Sequence, residues 1–210
     1  MSRRGAPPEL YEIASLLLRY PSQAALDRDP EVDGAVAGLP RRLRPPLERF
    51  LAYRRRTPGI DLEREYVETF DTRRRCTLNV SYYLYGDTRR RGVALLRLKR
   101  MYAAAGLVHD SDELPDHLPL MLEFAAFAAS DYGARVLAEH RIGIELLHLS
   151  LEADGRAHAG VLEAVCAALP RLGVRQRDAV VRLAAEGPPD ERVGLEPFAP
   201  PEVMPLEVRS

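Results

Sequence analysis

Apolar residues recur at helical spacing along nearly the whole chain, and this restricts the fold more than any other feature. Leu10, Ile13, Ala14, Leu17 and Leu18 fall at i, i+3, i+4, i+7 and i+8, one face of a first helix that Pro21 stops. Residues 22–40 are expected to hold a short helix ending near Gly38-Leu39-Pro40, and Pro45-Pro46 precedes another in LERFLAYRRR. Asp61 is placed to cap a helix in which Leu62, Tyr66 and Phe70 recur every four residues. Asp87 and Thr88 offer caps for a longer helix with the stripe Ala94, Leu98, Met101, Tyr102 and Ala105, closed by Gly106. Leu137, Ile144, Leu147 and Leu151 define one helix running to about Asp154. Val161, Val165, Ala168 and Leu169 define the next, and Val180, Val181 and Ala184 a last short one.

Two stretches do not follow this pattern. Residues 71–88, DTRRRCTLNVSYYLYGDT, carry strand-favouring residues with no partner strand elsewhere, so they read as irregular or weakly helical. From Gly187 onward six prolines in 24 residues exclude regular helix. The expected architecture is all-α: a single helical-bundle domain of about eight helices over residues 1–186, then a proline-rich extended or mobile tail, 187–210.

A net charge of −1 gives no global reason to expect nucleic acid or membrane binding. Cys76 and Cys166 lie far apart and form no CxxC pair, which points to a reducing compartment. The apolar stretch near the N-terminus is interrupted by Glu9 and Glu12 and separated from Arg3-Arg4 by Pro7-Pro8, so it does not read as an export signal. A cytoplasmic protein without membrane insertion is expected.

Enzyme signatures are missing: no HExxH, GxGxxG, P-loop or GxSxG occurs. His140 and His148 share an apolar stripe two turns apart, too far to hold a metal without further ligands, and read as packed or partly exposed. Cys166 reads as a small core residue beside Leu162, Val165 and Leu169. No catalytic set, metal or cofactor is expected. Nine cations lie between Arg73 and Arg100 against one acid, Asp87. They permit an alternative reading as a helical nucleic-acid-binding regulator. A solvated arginine face is preferred, because Asp110, Asp112, Glu113, Asp116, Glu123 and Asp131 follow closely.

DELPDHLPLMLEF, residues 112–124, places an Asp-His pair between two prolines. Proline fits a helix only in its first turn, so Pro119 sets a helix start between Leu114 and His117. Asp116 is then the natural cap, and His117 follows in a first turn whose dipole favours a neutral imidazole. Leu118, Met121, Leu122 and Ala125 anchor this helix to the core. Capping accounts for Asp116 and leaves His117 without a role.

Three pieces in order, Y-V-E-x-F-D (66–71), G-D-[ST]-R-x-R-G (86–92) and E-L-P-D-H-L-P (113–119), resemble the respiratory nitrate reductase assembly chaperones. These form the delta-type, NarJ-like branch of the redox-enzyme maturation chaperones. Cys76-Thr77 departs from a small hydroxylic pair common in that family. The resemblance implies an all-helical cytoplasmic protein, not an enzyme, that binds the N-terminal segment of the apo catalytic α-subunit. That segment would be held until molybdenum cofactor insertion and membrane assembly are complete; related branches bind export signal peptides. Contact between the arginine clusters and an anionic pterin, or the cofactor-biosynthesis proteins that carry it, is left open.

A short amphipathic client helix needs an apolar groove with fixed polar groups at its rim. Tyr66, Phe70 and Asp71 are expected on one wall and Leu114, Pro115, Asp116 and His117 on the opposite lip. Glu65, Glu68 and Glu123 add negative charge suited to a basic client. Gly86, Asp87, Arg89, Arg91 and Gly92 match the family pattern as a turn and cap, or as client contacts. Phe198 and Met204 are expected to fold back over the groove until client displaces them.

Overall fold

The computed structural model describes residues 7–107, 112–128 and 132–189. Among the described residues there are twelve α-helices: α1 (Pro8–Leu17), α2 (Gln23–Leu26), α3 (Asp29–Gly38), α4 (Arg44–Arg56), α5 (Gly59–Tyr66), α6 (Tyr82–Tyr85), α7 (Arg89–Ala104), α8 (Leu118–Phe127), α9 (Tyr132–Glu139), α10 (Arg141–Ala153), α11 (Ala159–Ala168) and α12 (Val174–Glu186). The chain is all-α, with more helices than the eight or so expected. Single-turn α2 and α6 carry too little periodicity to read, and one apolar run covers two helices.

Prolines begin the helices rather than break them. Pro8, Pro30, Pro45 and Pro119 all sit in first turns, where a missing N–H leaves no intrahelical bond unmade. α1 lies along α8 and also touches α3 and α11, while α11 packs on α4 and α10, and α10 on α12. One continuous core results, including Leu10 and Leu17 of α1, Leu118 and Met121 of α8, Ile144 and Leu147 of α10 and Val161 and Val165 of α11. Each fully buried aliphatic side chain contributes about 2 kcal/mol of transfer free energy. The Ser15 hydroxyl donates to the Pro119 carbonyl at 2.8 Å, fixing α1 against the first turn of α8.

Several expected boundaries move. α5 begins at Gly59 after Pro58, so Asp61 lies inside the first turn rather than capping it, 3.2 Å from Arg64. Beyond Tyr66 the helix widens into a π-turn, Val67–Asp71. Thr88 occupies the position before α7 but gives no cap bond, because its hydroxyl donates back to the Tyr85 carbonyl at 2.8 Å. The helix expected to run from Leu137 to Asp154 is two, α9 and α10, broken at His140, whose Nδ1 sits 2.9 Å from the Val136 carbonyl oxygen. The apolar period runs through that break unaltered, so only tertiary packing marks it.

Residues 71–88 are irregular with one turn each of 3-10 helix (Arg74–Cys76) and α-helix (α6). Their middle pairs briefly with the approach to α8: Leu118 N–H donates to the Leu78 carbonyl at 2.8 Å and Val80 N–H to the Asp116 carbonyl at 3.1 Å. A single antiparallel bridge, Asn79 to His117, is all the β-pairing among the described residues. Gly143 of α10 lets this strand-like piece come close, since a Cβ there would stand 2.3 Å from the Val80 carbonyl oxygen. The tail beyond Pro189, including Phe198 and Met204, lies outside the described residues.

Candidate functional site

An open groove of about 910 Å³ lies between the end of α5 and the outer side of α8. Tyr66, Phe70 and Asp71 form one wall, Leu78 and Asn79 part of the floor, and His117, Leu120, Glu123, Phe124 and Phe127 the other wall. Arg19 and Tyr20 close one end; Tyr102, Leu107 and Glu113 also contribute.

The aromatic wall is built in layers. The Tyr66 ring lies 4.8 Å from Phe70 and meets Tyr20 edge-on at 5.5 Å, and its hydroxyl donates to the Leu18 carbonyl at 3.2 Å. The π-turn adds a residue to the helical turn here and ends at Asp71, whose carboxylate borders the groove. Behind it His158 stacks against Phe50 at 4.8 Å and Phe70 at 5.0 Å. Burial, reinforced by the Arg54 and Arg156 charges, pushes the His158 imidazole down to about 3, so it packs as a neutral ring. Opposite, Tyr102 lies 4.5 Å from Phe124 and donates its hydroxyl to the Pro115 carbonyl at 2.7 Å.

The E-L-P-D-H-L-P residues separate. His117 faces the groove, while Asp116 is fully buried behind it. Asp116 accepts from Ser81 Oγ at 2.5 Å, Ser81 N–H at 3.3 Å and Asn79 Nδ2 at 3.0 Å, and pairs with Arg91 at 3.4 Å. It is not the helix cap expected of it: α8 starts at Leu118 with His117 in the capping position and no side-chain cap bond. The Leu78–Val80 pairing holds the backbone ahead of α8, and Asp116 turns inward to serve that contact. Burial lowers the His117 pKa, against Glu113 and Asp116, which raise it, and with Arg19, which lowers it.

Of the residues expected at the groove, Tyr66, Phe70, Asp71, His117 and Glu123 line it, and Leu114, Pro115 and Asp116 do not. Leu114 is exposed elsewhere, and Pro115 is buried with its carbonyl held by Tyr102. Glu123 is ion-paired with Arg19 across the lip. Glu65 takes the Tyr53 hydroxyl and Glu68 faces Arg156, both away from the groove. Gly86 is buried at φ +56° and packs against the Pro189 backbone, while Arg91 bridges Asp87 at 3.2 Å to Asp116. Asp87, Arg89 and Gly92 are exposed outside the groove. The arginine clusters are partly paired as well, Arg73 with Asp154 and Arg97 with Glu139.

Sequence reasoning missed Tyr20, Leu107, Leu120, Phe124 and Phe127. A signal was present for the last three. They fall at i, i+4 and i+7, a second apolar stripe on a helix whose first stripe already fills the core. Phe127 stands 64% exposed, Tyr20 44% and Leu107 40%, an open apolar surface that asks for a covering partner.

The molecule is therefore an all-helical bundle with an aromatic groove whose rim carries Asp71, Glu113 and the Arg19–Glu123 pair. Residues 30–160 match the family model described as nitrate reductase delta subunit, and all three motifs fall within that span. The chain belongs to that family. It is 32% identical over 167 residues to the probable nitrate reductase molybdenum cofactor assembly chaperone NarJ of Bacillus subtilis, covering 79% of this chain and 91% of that protein. To the Escherichia coli K12 chaperone of that name it is 37% identical over 117 residues, 54% of this chain and 50% of that one. A nitrate reductase-like protein, NarX, of Mycobacterium tuberculosis is 34% identical over 161 residues, but this chain spans only 24% of its length. The fold matches a crystal structure described as a redox enzyme maturation protein from Archaeoglobus fulgidus, with TM-score 0.61 and 21% identity over 78% of this chain and 94% of that one. No helix among the described residues is long and apolar enough to cross a membrane.

Proposed function

We propose that this chain is a cytoplasmic assembly chaperone for a nitrate reductase. Its groove binds the N-terminal segment of the apo catalytic α-subunit and keeps it from docking until the molybdenum cofactor is inserted. No bond is made or broken. Affinity for the unmatured subunit shifts assembly by mass action.

The observation that carries this reading is the apolar surface left open around the groove at Tyr20, Leu107 and Phe127, edged by Asp71, Glu113 and the Arg19–Glu123 pair. An amphipathic helix lays its apolar face into such a hollow, and basic residues on its flanks meet the acidic rim. The names carried by the relatives from B. subtilis and E. coli support a nitrate reductase as the client.

The test is calorimetric titration of the purified chain with a synthetic peptide from the N-terminus of a nitrate reductase α-subunit. A scrambled peptide of equal charge serves as the control. Saturable binding of the native order alone is expected; equal binding of both peptides, or of neither, refutes the reading.

A further inference from the structure

On the face formed by α10 and α11, three side chains converge that the groove does not use. Glu145 and His148 lie three residues apart on α10, hence on one face of that helix, and Cys166 reaches them from α11. One carboxylate oxygen, one ring nitrogen and the sulfur all lie within 4.8 Å of one another. Around zinc, bonds of about 2.0–2.3 Å place ligand atoms roughly 3.5 Å apart, so rotamer adjustment of about 1 Å closes the set. Oxygen, nitrogen and sulfur together are a borderline-soft donor set, suited to zinc rather than to magnesium or calcium.

One surrounding feature fits a metal. Arg141, with its side chain 8% exposed, donates Nη1 to Glu145 Oε2 and lies 3.6 Å from Cys166 Sγ. A hydrogen bond to one carboxylate oxygen orients the other, as outer partners do in metal centres. Burial pushes the Cys166 thiol up to about 12, only partly offset by the Arg141 charge, so the incoming cation must itself displace the thiol proton.

We propose that Glu145, His148 and Cys166 bind one zinc-class divalent cation, with water in the fourth position. Cys166 ligates as thiolate, its proton passing to solvent as the metal–sulfur bond forms. The cation clamps α10 to α11, far along the chain from the groove motifs and independent of what the groove binds. The sequence concealed the site because Cys166 is eighteen residues from His148 and joins it only through helix packing.

The experiment uses the full chain, stripped with chelator and free of any affinity tag, titrated with Co2+ alone and, separately, with Zn2+ alone. One equivalent of Co2+ is expected to give a thiolate-to-cobalt charge-transfer band with tetrahedral ligand-field bands, and Zn2+ to abolish them. Cys166→Ser is expected to lose the charge-transfer band and Cys76→Ser to keep it, while His148→Gln weakens Zn2+ binding at least tenfold. Absence of the band in the unaltered chain, or its persistence in Cys166→Ser, overturns the proposal. Should Cys166→Ser fail to fold, His148→Gln decides alone, and unchanged Zn2+ affinity there overturns it equally.

Discussion

Arg91 and Asp116 meet 3.4 Å apart, joining the first turn of α7 to the buried segment ahead of α8. Asp116 is fully buried, and its carboxylate also satisfies Ser81 and Asn79. Removing one member of such a network leaves the donors facing an apolar interior. Asp116→Ala is therefore expected to lower the unfolding free energy by about 3 kcal/mol, read from urea denaturation. A loss no larger than about 0.5 kcal/mol, the range of surface substitutions, shows that the network holds nothing together.

Gly143 makes a second structural claim open to measurement. The atom a Cβ would meet is a backbone oxygen, that of Val80, and no rotamer change relieves it. Gly143→Ala is expected to cost about 1–3 kcal/mol by overpacking. Gly34, inside α3, has nothing within 4 Å of a Cβ, and Gly34→Ala is expected to stabilise by about 0.5–1 kcal/mol through helix propensity. The two variants should move in opposite directions; a Gly143→Ala variant as stable as the unaltered chain contradicts the close approach of α10 to Val80.

His158 sets an acid limit on stability. Its imidazole titrates near 6.5 when the chain is unfolded and at about 3 when folded, because burial and two nearby guanidinium groups oppose its charge. Between these values the unfolded chain binds the extra proton, so stability is full above pH 6.5 and falls as pH drops toward 3. At pH 5 the loss from this residue amounts to about 2 kcal/mol. His117 and His140, both lowered by burial, act in the same sense, so the comparison must be made against a variant. His158→Phe keeps a ring against Phe50 and Phe70 and is expected to flatten that part of the pH–stability curve; superimposable curves contradict the assignment.

Much of this was legible from residue order, and the failures have common causes. Local rules placed α1, α4, α7 and α11, because a proline start (α1, α4), a glycine just past the end (α7) or an apolar stripe (α11) is encoded within the segment. His140 escaped because the stripe of α9 continues into α10 without a breaker. Asp116 was mistaken for a cap because cap chemistry is local, whereas its actual partners, Asn79, Ser81 and Arg91, come from far along the chain. The aromatic wall at Tyr66 and Phe70 was readable from four-residue spacing. Tyr20 and Leu107 carry no periodic signal at all, and only the packing of α1 and α7 brings them to the groove.

Phe127 separates binding from folding. At 64% exposure it contributes little to the core, so Phe127→Asp is expected to leave thermal unfolding nearly unchanged. The same change puts a carboxylate on the apolar wall that a client helix must cover. Peptide affinity is expected to fall at least tenfold, about 1.4 kcal/mol, in the calorimetric assay. Intact affinity in a stable variant moves the client elsewhere on the surface.

His117 borders the groove with its pKa held below the ordinary imidazole value, chiefly by burial. It is therefore neutral at pH 7 to 8, where peptide affinity is expected to be level. An apolar helix laid over the ring removes more water from it and opposes protonation further, so the proton and the client compete. Affinity should weaken as pH is lowered below the ordinary imidazole value, with proton release accompanying binding. His117→Ala, titrated in parallel, is expected to lose that part of the slope. If the two proteins show the same slope, the imidazole plays no part in recognition, and its place at the lip is a consequence of the Asn79 pairing alone.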